Sequence, residues 1–183
     1  MLKRLVVLVL IVLGFSCKEV EVYPKPEAKL ALEYPTPIAH QYKNDRFEFS
    51  YNEEALLMPT SKQSFSFYYP KLKASVFMYY LDLSEGIEKR LYDLEQKVAD
   101  HQKMASEIIM HPFVNPESKS RGALYEIKGN AASQAQFYIS DNKDHFIHGA
   151  LYFKTKPNYD SILPAANYVM EDLKDFMESI RWN

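Results

Sequence analysis

With 183 residues, 47% of them hydrophobic, the chain is long enough to bury one sizeable core and too short for two full domains. Its 22 basic and 24 acidic residues leave a formal charge of −2, which argues against an electrostatic nucleic-acid binder. Aromatic side chains make up 14% of the sequence, in keeping with a β-rich core.

Lys3 and Arg4 precede an apolar run from Leu5 to Phe15, the length of a signal-peptide core and too short to span a bilayer comfortably. Cys17, the single cysteine, follows directly after Gly14-Phe15-Ser16. The arrangement resembles a bacterial lipoprotein signal, in which residues 1–16 are removed and the cysteine thiol carries the lipid. Gly14 and Phe15 depart from the usual pattern, which has an aliphatic and a small residue at those places. Lipidation would leave the mature chain no thiol for a disulfide. Several acyl chains on one cysteine, at about 0.8 kcal/mol per buried methylene, anchor stably where one chain would not.

Residues 17–45 then read as a lipid-anchored, proline-rich tether. Pro24, Pro26, Pro35 and Pro37 disfavour helix and withhold ladder donors, so the chain is extended. Within it Leu30 and Leu32 alternate with Lys29, Ala31 and Glu33 and predict a short edge strand. A single globular domain is placed at 46–183. Its first strands are read at Arg46–Tyr51, Ser64–Tyr69 and Ala74–Leu81. The third is apolar on both faces, with Val76, Met78 and Tyr80 on one and Phe77 and Tyr79 on the other, as a central strand is. Asp82 or Ser84 is able to cap a long helix, in which Ile87, Leu91, Leu94, Val98 and Ala105 share a stripe and which ends near Met104. After a strand at Ile108–Val114 comes Arg121–Lys154, where three alternating runs are separated by Gly129-Asn130 and by Asp141-Asn142-Lys143-Asp144. That pattern predicts an antiparallel meander. Gly122-Ala123-Leu124-Tyr125 recurs as Gly149-Ala150-Leu151-Tyr152, as two strands of one sheet with similar neighbours. Asp160 or Ser161 caps the last helix, with Pro164 in its first turn. Ala166, Val169, Met170, Leu173, Phe176, Met177 and Ile180 form its buried face.

The residues able to do chemistry make no diagnostic constellation. His40, His101, His111, His145 and His148 contain no HExxH spacing. His145 and His148, three apart in a strand, point to opposite faces and so argue against a shared metal. Neither a GxSxG elbow nor a glycine-rich phosphate loop occurs, and Glu171-Asp172 reads as solvated helix surface. The pattern therefore implies no metal, no cofactor and no enzyme. What stands out is the small-residue turn from Lys128 to Ser133. Its first reading is a packed structural turn in which Gly129 takes a positive φ. Its second is a recognition edge, with Lys128, Gly129, Asn130, Ser133 and Gln136 touching a partner. Trp182 reads first as a lid that docks the last helix and Arg181 as its surface partner; the second reading makes both part of a contact site.

Tyr125-Glu126-Ile127-Lys128-Gly129-Asn130-Ala131-Ala132-Ser133, then Gln136-Phe137, Gly149-Ala150-Leu151-Tyr152-Phe153, Pro157-Asn158, Asp160-Ser161 and a closing Arg181-Trp182 resemble the gliding-motility lipoprotein GldD family of Bacteroidetes. Upstream, Tyr23-Pro24-Lys25-Pro26 and Leu32-Glu33-Tyr34-Pro35 resemble that family's mature start. Glu27-Ala28-Lys29-Leu30 departs from its Arg-Gly-Tyr-Phe-like stretch, and cysteines found in early strands of some relatives are absent. The resemblance implies a cell-envelope lipoprotein required for gliding and for the type IX secretion system coupled to it. It carries one residue role, lipid attachment at Cys17, and no catalytic chemistry.

The expected fold is α+β, a mostly antiparallel sheet of about six strands packed by two long helices, similar by analogy to the sandwiches of PsbP or Mog1 type. The expected role is a non-catalytic interaction or assembly factor with other gliding and secretion envelope proteins as partners. The domain is expected to face the periplasm. The alternatives are a lipoprotein that binds a small ligand or glycan beside Lys128–Ser133, and a hydrolase. Replacing Cys17 with Ser is expected to move the protein from the membrane fraction to the soluble fraction, as read by fractionation and immunoblot; unchanged membrane association would contradict lipid attachment there.

Overall fold

The computed structural model describes residues 34–155 and 158–183. Cys17, the signal peptide at 1–16 and the strand expected at Leu30 and Leu32 lie outside the described residues. Among those residues, the elements in chain order are β1 (Ala39–Lys43), β2 (Phe47–Asn52), β3 (Leu56–Pro59), β4 (Ser64–Tyr69), β5 (Ala74–Asp82), α1 (Ile87–Ala99), β6 (Ala105–Asn115), β7 (Ser120–Gly129), β8 (Ser133–Ser140), β9 (His145–Phe153), α2 (Tyr159–Ser179) and β10 (Arg181–Trp182). No described helix is long and apolar enough to cross a membrane.

The α+β class with antiparallel pairing holds, but the described residues form ten strands in two sheets rather than about six in one. Seven run β3-β4-β5-β9-β8-β7-β6, and three run β1-β2-β10. The meander expected at 121–154 is β7-β8-β9, and β5 is central, between β4 and β9. The Phe47–Asn52 strand leaves this sheet to pair with β1 and β10, because alternation fixes which side chains share a face and says nothing about which sheet a strand joins. β1 occupies residues 39–43, which the proline pattern assigns to the tether.

The faces of the seven-stranded sheet are covered unequally. Val76, Met78, Phe137, Ile139, Ile147 and Leu151 turn to the side where α2 brings Val169, Leu173, Phe176 and Met177, all buried. The small sheet closes the same side: Phe49 stacks on Phe65, with centroids 5.7 Å apart, and Tyr51 on Phe67, at 5.6 Å. Gly149 lies on this side, where a Cβ would stand 2.6 Å from the Phe137 ring. On the opposite face lies α1, whose Leu94 and Val98 are buried. It spans 13 residues, ending at Ala99 rather than near Met104, and Ala105 opens β6 instead of extending the helical stripe.

The helix starts differ from expectation, each for a local reason. Asp82 turns its carboxylate to Ser84, accepting from both its amide and its hydroxyl. Neither therefore caps α1, which begins after Gly86 at φ 83°. For α2, the Tyr159 amide donates to Asn130 Oδ1 at 2.9 Å, so the capping acceptor comes from a turn 29 residues upstream rather than from Asp160 or Ser161. With the start at Tyr159, Pro164 falls in the second turn, where it withholds one helix donor.

The expected buried face of α2 is observed in full, and Ile162, Ala165 and Asp172 are buried with it. Asp172, expected on the surface, is 6% exposed. Its Oδ2 accepts from Asn52 Nδ2 at 2.9 Å and from Tyr69 OH at 3.0 Å. Asn52 also donates to Tyr168 OH at 2.8 Å, and that hydroxyl donates to the Pro35 carbonyl at 3.1 Å. Burial raises the Asp172 pKa and the two donors oppose it. The knot ties β2, β4, α2 and the start of the domain together, and each polar atom in it answers the desolvation of another.

Phe176 is fully buried and touches the rings of Phe49, Phe67 and Phe137. Phe176→Ala is expected to cost about 3–5 kcal/mol of unfolding free energy, measured by urea denaturation; a loss below about 1 kcal/mol would show that the layers do not depend on it.

Candidate functional site

The turn from Lys128 to Ser133 is built from bonds it makes to its own fold. Gly129 adopts φ +99°, and a Cβ there would lie 2.7 Å from the Ser106 amide nitrogen, so both the conformation and the close approach require glycine. Asn130 caps α2. Ser133, fully buried, donates its hydroxyl to the Ala135 carbonyl at 2.9 Å. Gln134, also buried, donates to the Ala131 carbonyl at 3.0 Å and the Gly129 carbonyl at 3.4 Å. Lys128 pairs with Glu107 across the β6–β7 ladder at 2.9 Å. The packed-turn reading thus accounts for every polar side chain in it.

The structure does not bring the other sequence candidates to this turn. Trp182 donates its indole N–H to Ser120 Oγ at 2.9 Å, lies parallel to the His145 ring at 5.1 Å and meets Phe47 edge-on. Arg181 donates to the Glu178 and Ile180 carbonyls and stands 3.6 Å from Glu117. Both belong to β10, which pairs with β2. Ser120 and Gly129 are opposite ends of β7, roughly 30 Å apart at the usual rise per residue. Gln136 points to the α1 face and donates to the Lys97 carbonyl at 3.4 Å.

That face holds a cleft of about 390 Å³ between the end of α1 and strands β5, β9 and β8. α1 is too short to cover the sheet, so three aromatic side chains of its floor stay partly open: Phe77 at 45%, Tyr79 at 48% and Tyr152 at 37% exposure. Phe77 and Tyr152 are 6.0 Å apart and tilted, and Tyr79 stacks on His148 at 5.4 Å. Lys97, Asp100 and His101 rise along the helix side, with Gln136 and His148 on the sheet side. The double-sided apolar pattern of β5 was the available signal. It identifies a central strand, and nothing in it tells how far the next helix extends over that face.

The histidines behave differently from one another. His145 and His148 do point to opposite faces, the first bonded to Tyr80 OH at 2.8 Å and the second lining the cleft. His40 and His111 pair with Glu53 and Glu126 at the surface, at 3.4 and 3.2 Å. Among the described residues no group of three metal-ligating side chains converges. Burial, reinforced by the nearby cations of Lys97 and Arg90, holds the His148 imidazole neutral down to about 4. Burial likewise lowers His101, with Asp100 opposing.

Because the folded pKa of His148 is depressed, the unfolded chain takes up its proton first on acidification. Its contribution to stability is complete above the unfolded value of about 6.5 and is lost as pH falls toward 4. His148→Gln is expected to lose less stability than the parent between pH 7 and 4.5, by on the order of 2 kcal/mol. Urea unfolding at the two pH values measures it, and equal losses would contradict a buried neutral imidazole.

A search among curated proteins finds no match. The family model described as gliding motility lipoprotein GldD matches residues 19–182, a span that takes in the proline-rich segment, the turn at Gly129, the cleft and both ends of α2. The chain belongs to the gliding motility lipoprotein GldD family.

Proposed function

We propose that this gliding motility lipoprotein acts as a non-catalytic assembly factor, tethered through lipidated Cys17, and serves both the gliding machinery and the type IX secretion coupled to it. The observation that carries the reading is the family match over residues 19–182, which spans the tether and the described domain together. As a member of a lipoprotein family it is a membrane-anchored envelope protein; the further proposal is that the domain faces the periplasm.

The mechanism is capture at a set height. A tether confines the domain to a thin layer beside the membrane, so an envelope partner anchored in the same layer meets it at high effective concentration. The described domain has surface suited to this. β6, an edge strand of the seven-stranded sheet, carries exposed Met110 and Val114, and Pro112 interrupts its free ladder so that it does not pair indiscriminately. Three of the five histidines stand outside the cleft, His40 and His111 facing carboxylates in the open and His145 under Trp182.

Deleting the gene is expected to abolish spreading on agar and the secretion of cargo proteins together, and complementation by a Cys17→Ser form is expected to restore neither. A deletion strain that glides and secretes normally would overturn the proposal. Loss of gliding with intact secretion would restrict it to the motility apparatus.

A further inference from the structure

We propose that the cleft between α1 and the β5–β9 surface binds a neutral pyranose oligosaccharide. This goes beyond the assembly role and does not depend on it. The floor is what an individual sugar ring requires. One face of a pyranose presents a row of C–H bonds, whose positive ends are attracted to the negative face of an aromatic ring. Phe77 and Tyr152 offer two such faces, 6.0 Å apart and inclined by 56°, which suits two successive rings of a twisted chain better than one flat ligand.

The walls select the same chemistry. Among the described residues, the side chains of Lys97, Asp100, His101 and His148 make no hydrogen bond or ion pair within the protein, and Gln136 uses only its amide nitrogen, on the Lys97 carbonyl. An ammonium only donates, a carboxylate only accepts, and a neutral imidazole does one at each nitrogen. Hydroxyl groups both donate and accept, so a series of them satisfies this mixed set. Lys97 and Asp100 also cancel in charge. An anionic ligand would meet Asp100 and a cationic one Lys97, and neither is favoured by the cleft as a whole. An acyl chain or an apolar peptide would match the floor but leave these polar groups desolvated without partners. The volume, about 390 Å³, lies within the range of small-ligand sites.

Amide chemical-shift titration of the mature chain, carrying Cys17→Ser for solubility, with cellotetraose, maltotetraose and tetra-N-acetylchitotetraose tests the proposal. At least one sugar is expected to give saturable shifts at Phe77, Tyr79, His148 and Tyr152, with a dissociation constant between micromolar and millimolar. Phe77→Ala and Tyr152→Ala remove exposed side chains, so each is expected to keep the native spectrum while weakening binding at least about tenfold. Lys128→Ala is expected to leave binding unchanged. The proposal is overturned if none of the three sugars shifts these amides at millimolar concentration, or if Tyr152→Ala binds as well as the parent. It is equally overturned if phosphocholine micelles or an extended apolar peptide occupy these residues while the sugars do not.

Discussion

One side chain joins the last helix to both sheets of this domain. Phe176, on the last helix, meets Phe49 of the small sheet at 4.9 Å and Phe67 and Phe137 of the large sheet at 5.8 and 5.9 Å, all edge-to-face. Among the described residues no backbone ladder joins the two sheets to each other, so the small sheet is held by ring contacts, by the side-chain hydrogen bonds of Asn52 and Trp182 and by the helix end. That makes the position of α2 the constraint on which the rest depends. Only with α2 ending at Ser179 and Ile180 turning to an extended conformation can Arg181 and Trp182 pair with Glu48 and Phe47. Only then does the indole reach Ser120 and lie over His145. The start of the same helix depends on Asn130, so the turn at Gly129 and the C-terminal strand are coupled through one rigid element roughly 30 Å long.

The unequal covering of the large sheet follows from this arrangement. α2 and the small sheet together bury one face, and a 21-residue helix supplies enough apolar surface for it. The other face receives 13 residues of α1, of which Leu94 and Val98 are buried. Phe77, Tyr79 and Tyr152 on that face therefore stay partly at the surface, beside a helix end whose polar side chains have no partners in the described fold. A long connection that covers a sheet incompletely leaves a concave, mixed-polarity surface of the kind in which binding sites occur.

The elements most legible in the sequence were those whose burial depends on their own periodicity. The seven apolar positions named for α2 are all buried, and the three strands after Arg121 pair in the order read. The candidate contact residues were harder, because a polar side chain looks the same in sequence whether it meets a partner protein or its own fold. Asn130, Ser133 and Gln136 are all bonded within the domain, and Trp182 packs between the sheets. Asp172 carried the opposite ambiguity. Beside Glu171 it reads as helix surface, yet at helical spacing it falls next to Leu173 and Phe176, where Asn52 and Tyr69, more than 100 positions upstream, meet it.

The sequence by itself determined the family, the class of fold and the faces of its elements, because these rest on local order: a run of residues, a period of two or 3.6, a turn that needs glycine. Tertiary structure alone decided that Phe47–Asn52 leaves the main sheet, that Asn130 caps a helix it is remote from, and that Phe77, Tyr79 and Tyr152 share an open cleft with His148. Each of these joins residues far apart in the chain. No local pattern encodes such a meeting, since it depends on how long each helix runs and which face it covers.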